Sequence, residues 1–151
     1  MEHEVYMREA LLEAQKAFCA DEVPVGAVVV LDGHIIGRGH NQRETLGDPT
    51  AHAEMIALRQ AADKNGSWRL NGAVLYVTLE PCPMCAGAML QSRIERVIYG
   101  ADDPKGGAAG TLINLLQFPG FNHNVKIVGG VMADQCKEIL QKYFGVKRSN
   151  R

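Results

Sequence analysis

The sequence predicts an α/β fold, a three-layer αβα sandwich built on a mixed five-stranded sheet. Segments of helical and strand character alternate in the order α, β, β, α, β, α, β, loop, β, α, the pattern of a sheet covered by helices. The first two strands are joined by a two-residue turn, so the sheet is mixed rather than purely parallel. With 151 residues, 46% hydrophobic and 22% charged, the chain suits one globular domain over 1–151 with a real core.

Residues 4–20 place Val5, Leu11, Leu12, Ala14 and Phe18 at roughly helical spacing, which predicts an amphipathic helix ended by Asp21-Glu22-Val23-Pro24. Gly26 to Leu31 is apolar and β-branched, a buried strand. Asp32-Gly33 is a tight hairpin turn, and His34 to His40 the returning strand. Asn41 to Pro49 reads as a polar loop. A helix opens at Thr50 or Ala51, runs to about Lys64 and stops at Asn65-Gly66. Ala73 to Leu79 is a strand, Pro81 to Pro83 opens a helix reaching roughly Ser92, and Glu95 to Tyr99 is a short strand. Ala101 to Gly110 is a Gly/Ala-rich loop, Thr111 to Leu116 a short helix, Val125 to Val128 a last strand and Ala133 to Phe144 a C-terminal helix.

Charge excludes one class of function. The formal net charge is −1 and the sequence pI about 6.5, whereas a protein that grips nucleic acid by bulk charge has a pI above about 9. The charge is uneven, however. Residues 1–24 carry a net −4 and residues 126–151 a net +4, an asymmetry that can mark an element facing a polyanion. No apolar run reaches the ~18–20 residues of a bilayer span, and the acidic start Met1-Glu2-His3-Glu4 lacks the basic and apolar regions of a secretion signal. The expectation is a cytoplasmic protein with no membrane partner. Of four cysteines, Cys19 and Cys136 read as free thiols in helices, and Cys82 and Cys85 form a C-x-x-C pair.

Two short motifs carry chemistry: His52-Ala53-Glu54 and Pro81-Cys82-Pro83-Met84-Cys85. Each is weak alone. The first arises often by chance, and the second suits a redox dithiol or half a zinc ribbon. Together, each opening a helix, they are strong. Cys82 and Cys85 are i and i+3, so they share a helix face. Pro83 suits a first helical turn, where its missing N–H costs nothing. A helix N-terminus favours the thiolate, the metal-binding form. One imidazole and two thiolates leave the fourth position of a Zn²⁺ open to water, the arrangement of a catalytic rather than a structural site. Glu54, two residues past His52, is placed to move protons beside the metal rather than to ligate it. Glu80 reads as structural, at a strand end.

His-x-Glu followed by Pro-Cys-x-x-Cys resembles the zinc-dependent cytidine and nucleobase deaminases. The likeness is closest to the bacterial tRNA-specific adenosine deaminases. It rests on Glu22-Val-Pro-Val-Gly-Ala27, Asp48-Pro-Thr-Ala-His-Ala-Glu-Met55, Leu75-Tyr-Val-Thr-Leu-Glu-Pro-Cys82, Met84-Cys-Ala-Gly-Ala88, Ser92-Arg-Ile94 and Tyr99-Gly-Ala-Asp-Asp-Pro-Lys-Gly-Gly-Ala-Ala-Gly110, and it runs from about residue 4 to 148.

That resemblance implies a cytidine deaminase-like sheet, one Zn²⁺ per subunit and hydrolytic deamination of the wobble adenosine (A34) to inosine in a tRNA anticodon, that of tRNA-Arg(ACG). It implies His52, Cys82 and Cys85 as zinc ligands and Glu54 as the proton shuttle for a zinc-activated water. It implies Asn41 as the residue that hydrogen-bonds the base, Val25 as packing on it, and Ala53 and Pro81 beside it. Asp103 and Lys105, in the Asp102 to Gly110 loop, and Phe144 at the C-terminus match contacts to the anticodon stem-loop, and Phe121-Asn122-His123 resembles a further RNA-facing segment. The family also implies a homodimer. Two departures stand out: Pro83 follows Cys82 where many members carry an aliphatic residue, and Tyr143-Phe144 replaces a common Phe-Phe pair. Pro83 keeps open a free-base guanine or cytosine deaminase of the same superfamily. From a different class, a redox or structural zinc module using only Cys82 and Cys85 is the other alternative.

Overall fold

A hairpin seeds the sheet. Strands β1 (Gly26–Leu31) and β2 (His34–His40) pair antiparallel across Asp32 and Gly33, both at positive φ, the conformation that a two-residue hairpin turn requires. The computed structural model, which describes residues 2–150, adds β3 (Val74–Leu79), β4 (Arg96–Ala101) and β5 (Lys126–Val128) in the order β2-β1-β3-β4-β5. β1 and β3 are antiparallel; β3, β4 and β5 run parallel.

Both faces of the sheet are covered, which is why β1 is apolar at every position. Ala27 and Val29 face one core with Val77, Met89 and Ile94; Val28 and Val30 face the other with Met7, Tyr76, Ile98 and Cys136. Helices α3 (Ala53–Asn65) and α4 (Pro83–Ser92) lie over the first core, α1 (Glu2–Cys19) and α5 (Ala133–Ser149) over the second. The three predicted layers and the mixed five-stranded sheet are therefore present. No described helix is long and apolar enough to cross a membrane.

Small residues bring helix backbone against sheet backbone. A Cβ on Gly37 would collide with the Ala57 carbonyl, and one on Gly39 would lie 2.6 Å from that of Ala53. Those contacts press α3 onto β2 and so fix where its N-terminus sits.

The structure corrects the sequence reading at several places. The loop after β2 contains a four-residue helix, α2 (Arg43–Leu46). The third helix starts at Ala53, because Thr50 is held by the Asp48 carboxylate and His52 is extended. Residues 111–116 form no helix: Ala109 and Asn114 bridge as in a strand pair. Their amides are claimed elsewhere, those of Leu112 and Ile113 by the Gly107 carbonyl and that of Thr111 by Glu80. The last helix continues past Phe144 to Ser149.

Candidate active site

Two helix N-termini meet beside the carboxyl ends of β3 and β4, where ligands of open α/β sheets bind. His52 occupies the N-cap of α3 in an extended conformation (φ −77°, ψ 153°), and Cys82 does the same for α4 (φ −79°, ψ 173°) with Pro83 directly after it. Cys85 follows in the first turn of α4 and is fully buried. His52 Nδ1 lies 3.6 Å from Cys82 Sγ and 3.5 Å from Cys85 Sγ, and the three donor atoms lie within 4.8 Å of one another. A tetrahedral centre with metal–sulfur bonds of ~2.3 Å and a metal–nitrogen bond of ~2.05 Å separates N and S by about 3.6 Å. The donor set and its spacing therefore fit such a metal.

The electrostatics agree with a ligand set. A hydrogen bond from Cys85, helped by His52 against the opposing effect of burial, holds the Cys82 thiol down at about 4. The neighbouring Cys82 sulfur and burial push the Cys85 thiol up. The hydrogen bond to Cys82 raises His52. These directions favour the thiolate at Cys82, and a bound dication would favour it at Cys85 too, since the thiolate is the ligating form.

Glu54 is only 4% exposed. Burial, with the Cys82 charge adding, pushes its carboxyl up to about 7. It does not belong to the donor triad but shares a cavity of about 150 Å³ with His52 and Cys82. Drug-sized ligand sites start at ~300 Å³, so this one suits a single small ring system. Val23, Val25 and Leu79 give it apolar walls, and Asn41 a polar one. Asn41 is buried and oriented: its Nδ2 donates to the Val23 carbonyl (3.3 Å) and its Oδ1 accepts from the Arg43 amide (3.3 Å). One Nδ2 hydrogen and one Oδ1 lone pair are left for a ligand.

This arrangement has known counterparts. A family model described as MafB19-like deaminase matches residues 1–148. A Bacillus subtilis (strain 168) protein named tRNA-specific adenosine deaminase is 53% identical over 148 residues, covering 98% of this chain and 92% of that protein. The chain belongs to the tRNA-specific adenosine deaminases. A solved structure from a study of A-to-I editing by tRNA:A34 deaminases at the wobble position superposes with a TM-score of 0.86 at 47% identity, covering 89% of this chain and 98% of that one. The guanine deaminase of Bacillus subtilis is more distant, at a TM-score of 0.64 and 34% identity over 78% of this chain and 86% of its own. The free-base alternative left open by Pro83 is therefore not favoured.

Most of the residues read from the sequence of this deaminase converge. His52, Ala53, Glu54, Cys82, Asn41, Val25 and Asp103 line the one cavity, with Cys85 completing the triad. Pro81 is not among the residues that line that cavity: it is buried, and its carbonyl accepts the Ala108 amide at 2.9 Å. Lys105 and Phe144 lie instead on a second cavity of about 470 Å³, shared with Lys137, Lys147 and Arg148. Phe144 is 45% exposed and sits edge-on to Tyr143, ring centroids 5.3 Å apart. His123 Nε2 donates to the Ile94 carbonyl (2.7 Å), next to the amino end of β4 and away from the triad.

Glu80 organises the rim, as its structural reading implies. Its carboxylate accepts the amides of Asp103 (3.0 Å), Ala109 (3.0 Å) and Thr111 (3.1 Å) and the Thr111 hydroxyl. Burial alone would raise Glu80, yet these bonds hold it below the usual carboxylate range. Gly107 packs so close that a Cβ there would lie 2.5 Å from the carboxylate. Asp103 in turn accepts the amides of Lys105 and Gly106. Three cavity residues escaped the sequence reading: Val23, Leu79 and Arg43. Leu79 ends a strand that was already legible, Val23 falls in the stretch read as ending the first helix, and nothing in the polar loop marked Arg43.

Proposed function

We infer that this chain deaminates the wobble adenosine (A34) of a tRNA anticodon to inosine, with tRNA-Arg(ACG) as substrate. One observation carries the reading: a His52/Cys82/Cys85 triad at metal-ligand spacing beside a buried Glu54, in a cavity sized for one base. The relatives named for this activity support the choice of base and RNA. The chain works as one deaminase domain, a homodimer in the cytoplasm, with one Zn²⁺ per subunit.

His52, Cys82 and Cys85 would hold the zinc. What a bound Zn²⁺ supplies is a water acidified toward a pKa of ~7. Glu54, poised at about 7, is matched to both halves of proton traffic near neutral pH. It would take a proton from the water that attacks C6 of adenine and pass it to the ring nitrogen, then take the remaining proton from the new C6 hydroxyl and give it to the amino group, which leaves as ammonia. Water and adenosine are thereby converted to inosine and ammonia. Asn41 offers its free amide hydrogen and lone pair to the base, Val25 and Ala53 pack on the ring, and Pro81 backs the site through its carbonyl. Asp103, Lys105 and Phe144 meet the flanking anticodon nucleotides, where an exposed aromatic and cations suit a splayed single strand.

The test is incubation with an ACG anticodon stem-loop, reading inosine by mass. Conversion with about one zinc per chain is expected; turnover of free guanine above that of the stem-loop would overturn the reading.

A further inference from the structure

We propose that Glu22 is a positioning residue for substrate binding: its buried carboxylate supplies the cap that α2 lacks and so fixes Asn41 and Arg43 at the mouth of the cavity. The proposal rests on the adenosine deaminase reading of that cavity.

A helix of four residues does not hold itself together in water. α2 also lacks a side-chain cap of its own, since Gln42 stands at its N-cap and makes no such bond. Glu22, far away in sequence, does this instead. Its Oε1 accepts the Glu44 amide at 3.1 Å; its Oε2 accepts the Thr45 amide and hydroxyl, both at 2.6 Å. Those two amides are the ones an N-cap side chain takes. Glu22 is 1% exposed, and a carboxylate so buried persists only when its oxygens are satisfied.

The segment that carries Glu22 is stiff. Its own amide bonds the Ala17 carbonyl at the end of α1 (2.9 Å). On one side, Asp21 accepts the Tyr143 hydroxyl and the Lys147 ammonium of α5. On the other, the Val23 carbonyl accepts Asn41 Nδ2, and the Val25 carbonyl accepts the Asn41 amide. α2 continues from there, because the Arg43 amide bonds Asn41 Oδ1. Glu22 therefore links a firm support to Asn41 and Arg43, two polar residues of the β2–α3 connection that line the cavity. Asn41 faces the base; the Arg43 guanidinium, exposed at the rim, suits a phosphate of the flanking nucleotides. Among the described residues, no side-chain hydrogen bond joins the metal triad or Glu54 to this network.

Glu22→Gln keeps the size of the side chain but loses one acceptor oxygen and the charge, so α2 is ordered only part of the time. Binding weakens by the fraction of molecules with an ordered rim, and chemistry in those that bind is unchanged. For the stem-loop, KM should rise about tenfold, with kcat within about twofold of wild type and zinc content unchanged. Thr45→Val, which removes only the hydroxyl bond and leaves Glu22 charged, should raise KM about threefold and serves if Glu22→Gln folds poorly. In both variants, hydrogen exchange at the Glu44 and Thr45 amides should speed up. A fall in kcat with KM unchanged, or no change in either constant, would overturn the positioning role. Absence of inosine with the wild-type protein would instead overturn the adenosine reading beneath it.

Discussion

Glu80→Gln separates the three amides that one carboxylate now holds. The glutamine oxygen has one favourable place, that of Oε2, where it keeps the Ala109 and Thr111 amides. Its NH₂ then replaces Oε1. The Thr111 hydroxyl, a donor to Oε1 in the native protein, can turn and accept from the NH₂. The Asp103 amide cannot; it faces a second donor and loses its only carboxylate partner. One part-buried amide left unsatisfied costs about 1–2 kcal/mol, which in a domain of this length lowers Tm by roughly 2–8 °C. Thermal melting followed by circular dichroism gives the total, and amide hydrogen exchange gives the site: Asp103 should exchange faster, while Ala109 and Thr111 stay protected. Glu80→Ala strands all three amides and should cost at least about twice as much. Equal loss of protection at all three positions in Glu80→Gln, or an unchanged Tm, would refute the assignment of the two oxygens.

Other outcomes follow from the same site. Glu54→Gln should keep its metal, because Glu54 lies outside the donor triad, and lose about 10²–10⁴-fold in turnover; loss of zinc in that variant, by atomic absorption, would count against the shuttle role. Glu22 and Glu80 are both held below their ordinary carboxylate values, because their hydrogen bonds outweigh burial. Their stabilising contribution is therefore complete above about pH 4.5, the unfolded value, and is lost as pH falls through their folded values. Urea midpoints should drop on acidification below that point, and the double Gln variant should flatten the curve. The dependence of stem-loop affinity on salt should be shallower than a log–log slope of about −4, the value for some six phosphate contacts to a single strand; fluorescence anisotropy across a salt series measures it.

Sequence and structure agree where the forces are local, and they part where a distant group intervenes. β1 was legible because both its faces are buried and its residues are accordingly apolar throughout. The Asp32-Gly33 turn and the Pro83 start of α4 follow from backbone chemistry within two residues. The cysteine pair of the triad was legible because its i, i+3 spacing is a helical repeat, and His52 because it stands two residues before Glu54 at a helix start. α2 was hidden because its cap is Glu22 rather than a residue of its own. The expected helix over 111–116 fails for the converse reason: Glu80 and the Gly107 carbonyl take the amides a helix would have needed. Arg43 lay beyond reach because only the placement of α2 turns it to the cavity.

The charge asymmetry of the two chain ends changes meaning once they are folded together. α1 and α5 cover the same face of the sheet, so the −4 and +4 segments are neighbours rather than opposite poles. Lys147 illustrates the cancellation, since its ammonium lies 2.7 Å from the Asp21 carboxylate. Such an exposed pair is weak and screened by salt, and it leaves the other cations of that helix available. Lys105, Lys137 and Arg148 form no ion pair among the described residues, and they collect with Lys147 around the cavity that also holds Phe144. The Asp103–Lys105 turn joins that basic surface to the triad's cavity, because Asp103 lines the one and Lys105 the other. A near-neutral protein can therefore hold an RNA loop with a handful of cations, provided that they stand beside the cavity rather than over the whole surface.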